Sequence, residues 1–120
     1  MAQGEGVTDY TPSMTLEQIV QTIATELKPE KIILFGSHAR GEATLNSDYD
    51  LFVIVPYEGD RIELSARARG SVRSAGVPID VIVYPKRQLE ELLLDDGSDF
   101  LDNVFSEGKT IYETALQAIA

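Results

Sequence analysis

The sequence contains no cysteine, which removes disulfides, thiolate zinc sites and cysteine nucleophiles together. Basic residues are scarce: Lys and Arg number 10 against 20 Asp and Glu, for a formal net charge of −10. A surface of that sign repels a nucleic-acid backbone, so non-specific nucleic-acid binding is disfavoured. It also repels a nucleoside triphosphate, so an acidic chain that handles nucleotides needs divalent cations and a few well-placed Lys or Arg. No apolar run approaches the roughly 20 residues that span a bilayer. Met1 to Tyr10 is polar and holds two glycines without an apolar stretch, so nothing there reads as a secretory signal and a cytoplasmic protein is the expectation. Internal repeats and low-complexity tracts are lacking as well.

What the chain does have is 120 residues at 43% apolar content, enough for one core and one domain. We expect residues 1–12 to form a flexible tail and 13–120 a single domain. The stretch around which the rest is organised is Lys31 to Val55, KIILFGSHARGEATLNSDYDLFVIV. An apolar strand ends abruptly at Gly36-Ser37. Ten residues later, Asp48 and Asp50 bracket Tyr49 at the mouth of a second apolar run, Leu51 to Val55.

Around that stretch the hydrophobic period predicts a helix from Thr15, with Thr15 and Gln18 at capping-box spacing and Ser13 as a rival cap. Leu16, Ile19, Val20, Ile23 and Leu27 form its apolar face, and Pro29 stops it. Strands are expected over Lys31–Phe35, Asp48–Val55 and Pro78–Tyr84, with a short edge strand at Lys109–Tyr112. Short helices are expected at Ala39–Ala43, Gln88–Leu94 and Ser98–Phe105. A longer one at Glu58–Ala75 would carry Ile62, Ala66, Val72 and Ala75 inward, with Gly70 as its weak point and Gly76 ending it. Asn46-Ser47 and Asp95-Asp96-Gly97 read as breaks, and Ala115–Ala120 as a last short helix or a fraying end. Strands alternating with helices imply an α/β fold. The first two strands are joined by a short loop, so they run antiparallel. The second and third are joined by a helix, so they run parallel. The expectation is a mixed β-sheet of three to four strands flanked by helices.

Residues two apart on a strand share a face, so Asp48 and Asp50 present two carboxylates side by side. Asp80 interrupts the apolar run Pro78 to Tyr84 near a strand start. If the second and third strands are parallel neighbours, it reaches the same end of the sheet. Three carboxylates close together repel unless cations lie between them. Oxygen-only ligands suit Mg²⁺ or Mn²⁺, and two such ions about 3.5–4 Å apart clamp an in-line displacement at phosphorus. Opposite the acids, Gly36 lets a phosphate approach the backbone, the Ser37 hydroxyl and amides bind it, and Arg40 neutralises a further oxygen. Ser47 adds a hydroxyl beside Asp48. Plainer roles stand beside these: Asp80 as a solvated edge acid, Arg40 as a partner for Glu42, His38 as an exposed loop residue. Tyr49 and Tyr84 read as packing residues, and Arg67, Arg69 and Arg73 as a solvated helix face, with Arg69 and Arg73, at i and i+4, alternatively turned to a partner or the nucleotide.

Gly36-Ser37, ten residues and Asp48-Tyr49-Asp50 together resemble the signature of the DNA polymerase beta-like nucleotidyltransferase superfamily. The fuller string GSHARGEATLNSDYDL resembles its minimal nucleotidyltransferase (MNT) branch, and Gly108 to Glu113 is similar too. The resemblance implies a nucleotidyltransferase fold in which Asp48 and Asp50 hold two Mg²⁺ ions. Asp80 is then the third carboxylate, on the metal that activates the nucleophile or acting as its base. Gly36 and Ser37 would hold the phosphates of ATP or another nucleoside triphosphate. The resemblance further implies transfer of AMP to a HEPN-domain partner, as the antitoxin of a toxin–antitoxin pair, within a homo- or hetero-oligomer. Two alternatives accompany it: transfer to a small aminoglycoside-like acceptor, and a non-catalytic antitoxin that acts by binding alone.

Overall fold

The computed structural model describes residues 14–44, 47–94 and 99–114. The N-terminal tail, Ser13, Asn46, Asp95 to Ser98 and the 115–120 segment lie outside the described residues. Helix α1, Leu16–Leu27, opens on a reciprocal capping box: the Thr15 side chain accepts from the Gln18 amide and the Gln18 side chain accepts from the Thr15 amide. It buries Ile19, Val20, Ile23, Ala24 and Leu27, and it closes at Lys28, whose φ of 50° puts it in the left-handed region.

The chain continues through β1 (Lys31–Phe35), α2 (Ser37–Arg40), β2 (Tyr49–Val55), α3 (Arg61–Ser71) and a 3₁₀ turn at Arg73–Ala75. Strand β3 (Ile79–Pro85), α4 (Lys86–Leu94), α5 (Asp99–Glu107) and β4 (Lys109–Glu113) complete it. The four strands stand in the order β3-β2-β1-β4. As the loop lengths require, β1 pairs antiparallel with β2, and β2 pairs parallel with β3 across the α3 connection. Strand β4 is antiparallel to β1, with a register shift between Ile32 and Ile33.

Alternation along β2 sorts its side chains to two cores. Leu51, Val53 and Val55 pack with Ile19, Ile23, Leu64, Ala68, Val81 and Val83 under α1 and α3. Phe52 and Ile54 pack with Ile33, Leu89, Leu101 and Val104 under α4 and α5. With both faces covered, every residue from Leu51 to Val55 is buried, which is why this segment is apolar without alternation.

Several boundaries differ from the sequence expectation. The long helix begins at Arg61, not Glu58, because the Asp60 side chain accepts from the Ile62 and Glu63 amides and caps it there. Its buried face is Leu64, Ser65 and Ala68; Ile62 is 69% exposed and Ala66 is exposed too. Val72 and Ala75 are buried as expected, but beyond the helix end. The short helix after the Gly-Ser turn spans Ser37–Arg40 rather than Ala39–Ala43, since Gly36 turns the chain at once and Gly41 (φ 76°) ends it. Helix α4 starts at Lys86, directly on the end of β3. In α5, Leu101 and Val104 are buried, whereas Phe100 and Phe105 remain 41% and 43% exposed at the rim of the smaller core.

Edge strand β3 is closed by α3. The Val83 amide donates to Ser65 Oγ at 2.9 Å, and Arg69 donates to the Val81 carbonyl at 3.0 Å. The Arg69 reading as a residue turned to a nucleotide is thereby corrected. Arg67 donates to the Glu26 carbonyl and pairs with its carboxylate, tying α3 to α1.

Candidate active site

The site is built at the end of the sheet where β1 finishes and β2 and β3 begin. In the register of β1 with β2, Phe35 stands opposite Asp50; in that of β2 with β3, Asp50 stands opposite Asp80. Asp50 alternates with Tyr49 and Leu51, so it shares the face of Phe52, and Asp80 likewise shares the face of Ile82 and Tyr84. Two carboxylates from neighbouring strands therefore emerge from one face at one level. Asp48 lies just before β2 and is exposed, as is Asp80, while Asp50 is partly buried.

Electrostatics record the convergence. Burial pushes the Asp50 carboxyl above its ordinary range; the negative charges of Asp80 and then Asp48 add to that, and His38 and Arg40 oppose it. All four groups thus act on one carboxylate. Among the described residues, no three His, Asp or Glu side chains are already drawn to metal-ligand spacing. The donor chemistry suits a hard divalent cation: carboxylate oxygens only, no sulfur, one carboxylate partly desolvated.

Gly36 is the pivot. Its φ of 77° and ψ of −155° are closed to side-chain-bearing residues. A Cβ there would also overlap Asp50 Oδ2. The acid thus sits directly against a bare backbone turn, which keeps the space over Gly36 narrow. Ala39 and Arg40 amides bond the Gly36 carbonyl, and the Glu42 amide bonds that of Ser37, fixing the turn. Ser37 is partly buried at its start.

His38 does more than the exposed loop residue expected from sequence. Its ring stacks on Tyr49 at 4.1 Å between centroids, and Nε2 lies 3.4 Å from the Ser47 carbonyl. It clips the phosphate-type turn to the start of β2. Ser47 Oγ accepts from the Thr44 amide at 2.8 Å, closing the loop beside Asp48. The Arg40 guanidinium is engaged by Glu42 at 2.9 Å and by Glu107 of α5 at 3.6 Å. The Glu42 pairing was foreseeable from spacing; Glu107 was not, because only the fold brings α5 to the turn. Tyr84 packs edge-on against Phe52, with Arg61 over its other side at 5.0 Å, consistent with a packing residue. A concavity of about 670 Å³ lined by Arg61, Tyr84, Gln88 and Glu91 lies at the far end of β3 and shares no residue with the acids.

The mixed sheet and its acid-flanked Gly-Ser turn define a class of phosphate-handling α/β enzyme. The nucleotidyltransferase domain family matches residues 16–109, and this chain belongs to it. A protein of Methanocaldococcus jannaschii named as a protein adenylyltransferase is 30% identical over 106 residues, covering 82% of this chain and 100% of that relative. Among solved structures, a toxin–antitoxin structure with AMP-PNP has a TM-score of 0.54 at 24% identity, over 86% of this chain and 77% of that one. A Sulfolobus solfataricus protein named as a nucleotidyltransferase has a TM-score of 0.55 at 19% identity, over 81% of this chain and 76% of the other. At those identities the likeness is one of fold. The fold class and family expected from the sequence are both borne out. No helix among the described residues is long and apolar enough to cross a membrane.

Proposed function

We propose that this chain is an Mg²⁺-dependent adenylyltransferase that transfers AMP from ATP to a hydroxyl of a HEPN-type partner protein, as the antitoxin of a toxin–antitoxin pair. The observation that carries the reaction type is the register of Asp50 with Asp80 beside the Gly36 turn. Support for the acceptor class comes from the relative named as a protein adenylyltransferase and from the fold shared with a toxin–antitoxin structure with AMP-PNP.

In this reading the acceptor oxygen attacks the α-phosphorus, the bond to the bridging oxygen of the β-phosphate breaks, and pyrophosphate leaves. Gly36 and Ser37 hold the departing phosphates against the backbone, with Ser47 lining the same loop. Arg40, exchanging Glu107 for a phosphate oxygen, neutralises charge there. Asp48 and Asp50 would hold two divalent ions, Mg²⁺ or Mn²⁺, with Asp80 on the one nearer the acceptor. When bound, such ions screen phosphate charge and polarise the α-phosphoryl group. Asp80, exposed at the strand start, would also take the acceptor proton. On the face of the sheet that carries Asp50 and Asp80, Phe35 and Phe52 both contact the Phe100 ring.

The test incubates the protein with ATP labelled at the α-phosphate, Mg²⁺ and the product of the neighbouring gene. Label is expected on the partner with wild type and absent with Asp50→Asn. Intact nucleotide binding without transfer overturns the protein-acceptor reading, and label on hydroxyl compounds instead assigns a small-molecule acceptor. If Asp48→Asn/Asp50→Asn neutralises the partner at equal dose, contact alone suffices and the catalytic reading fails.

A further inference from the structure

Helix α5 sets two phenylalanines against the same buried ring. Phe100 and Phe105 are exposed to nearly the same degree, and each stands against Phe52, at 6.4 Å and 5.9 Å between ring centroids. Their surroundings differ. Phe105 lines a concavity with Lys31, Ile54 and Glu113, where β1 begins and β2 ends, at the other end of the sheet from the acids. Phe100 instead packs edge-on against Phe35 at 5.6 Å. Phe35 is the register partner of Asp50 and the residue before Gly36. Phe100 is thus one aromatic ring away from the residue that faces the partly buried acid and leads into the phosphate-type turn.

Other rings near the turn are engaged elsewhere. Tyr49 is stacked by His38, and Phe52 is fully buried. Tyr84 lies at the far end of β3 with Arg61 over it. Among the described residues, Phe100 is therefore the exposed aromatic side chain beside the acids. A nucleotide held by its phosphates at the Gly36 turn carries its base one ribose beyond the α-phosphate. Every base has a π-face, so an aromatic ring at that reach can stack on it. The chain is also poor in cations, with 10 Lys and Arg in all, and Arg40 is held by two glutamates. An uncharged contact to the base adds affinity where phosphate-binding charge is scarce.

We propose that Phe100 is the base-stacking residue of the nucleotide site: the adenine of ATP lies against the exposed part of its ring, while Phe35 and Phe52 hold the rest of the ring in place. The inference rests on the nucleotide reading above and adds to it the side chain that takes the base. Stacking recognises a flat ring without reading its edges. Phe100 therefore contributes affinity for a base rather than a choice among purines.

The chain has no tryptophan, so Phe100→Trp introduces a single fluorophore at the site and Phe105→Trp a matched one at the other end of the sheet. With Mg²⁺ present, ATP should quench the emission of Phe100→Trp, and tripolyphosphate, which lacks a base, should not. Phe105→Trp should respond to neither. Phe100→Leu keeps an apolar side chain against Phe35 and Phe52 but removes the ring. By calorimetry it should bind ATP about tenfold more weakly than wild type and bind tripolyphosphate equally well. Phe100→Trp should keep the wild-type affinity for ATP. An equal loss of both ligands in Phe100→Leu marks a structural role and overturns the proposal, as does an unchanged affinity for ATP. If wild type binds tripolyphosphate but ATP leaves the emission of Phe100→Trp unmoved, base stacking fails while the phosphate site stands. If wild type binds neither ligand, the nucleotide reading itself fails and takes the proposal with it.

Discussion

Replacing Asp50 with asparagine should make the metal-free protein more stable while abolishing its response to Mg²⁺. Neighbouring strands are about 4.8 Å apart, so the carboxylates of register partners Asp50 and Asp80 lie on the order of 5 Å apart. Two unit charges at that separation repel by about 1 kcal/mol in bulk water and about 3 kcal/mol at an effective dielectric of 20. Asp80 is exposed and Asp50 only partly buried, so the lower figure applies. For a domain of this size about 1 kcal/mol corresponds to roughly 4 °C in Tm. In EDTA near neutral pH, calorimetry should therefore find Asp50→Asn more stable by about that amount. The sign reverses with cation: saturating Mg²⁺, at about 100 times its Kd, should add about 2.7 kcal/mol to wild type and little to the variant. The pH dependence follows from the raised Asp50 carboxyl. A group whose folded pKa is raised contributes stability that is fully present below its unfolded value, about 3.9, and is lost as pH rises through the folded value. The difference between the two proteins should thus vanish in acid and open as pH climbs through the carboxyl range. An Asn variant less stable in EDTA, or still stabilised by Mg²⁺, refutes the reasoning.

Three further substitutions probe the supports. Gly36→Ala forces a side chain into closed backbone angles and against Asp50, so transfer should fall about 100-fold while stability drops by only about 1–3 kcal/mol; kinetics beside thermal melts separate the two. Ser65→Ala leaves the Val83 amide unpaired at the β3 edge and should cost about 1–3 kcal/mol in urea denaturation. Gly108→Ala places a methyl against the Val104 carbonyl and the Ile33 side chain, and should destabilise by about 1–3 kcal/mol by the same assay although Gly108 is far from the acids in sequence.

Much of this architecture was legible because local chemistry and global pattern agree. The capping box at Thr15, the covered runs Ile32–Leu34 and Leu51–Val55, and the loop lengths between strands each permit few alternatives. Asp80 stood out because an acid in an apolar run demands a reason, and the parallel register places it opposite Asp50. The misplaced face of α3 follows from weak amphipathicity: Ile62 looked like core, whereas packing against the sheet takes Leu64 and Ala68 inward. The contacts of Arg40 with Glu107 and of His38 with Tyr49 were hidden because they depend on how the turn packs after folding. No spacing rule on a single strand or helix encodes them.

The two sides of the sheet are unequally anchored, and that has a dynamic consequence. Among the described residues, the side under α1 and α3 holds sixteen mutually packed buried residues, whereas the side under α4 and α5 holds six. Opening free energies follow such local density, so the thinner layer should breathe long before the thicker one. Native-state deuterium uptake should reach the amides of Lys86–Leu94 and Asp99–Glu107 well before those of Leu16–Leu27, giving the acid-bearing face a yielding roof over a rigid floor.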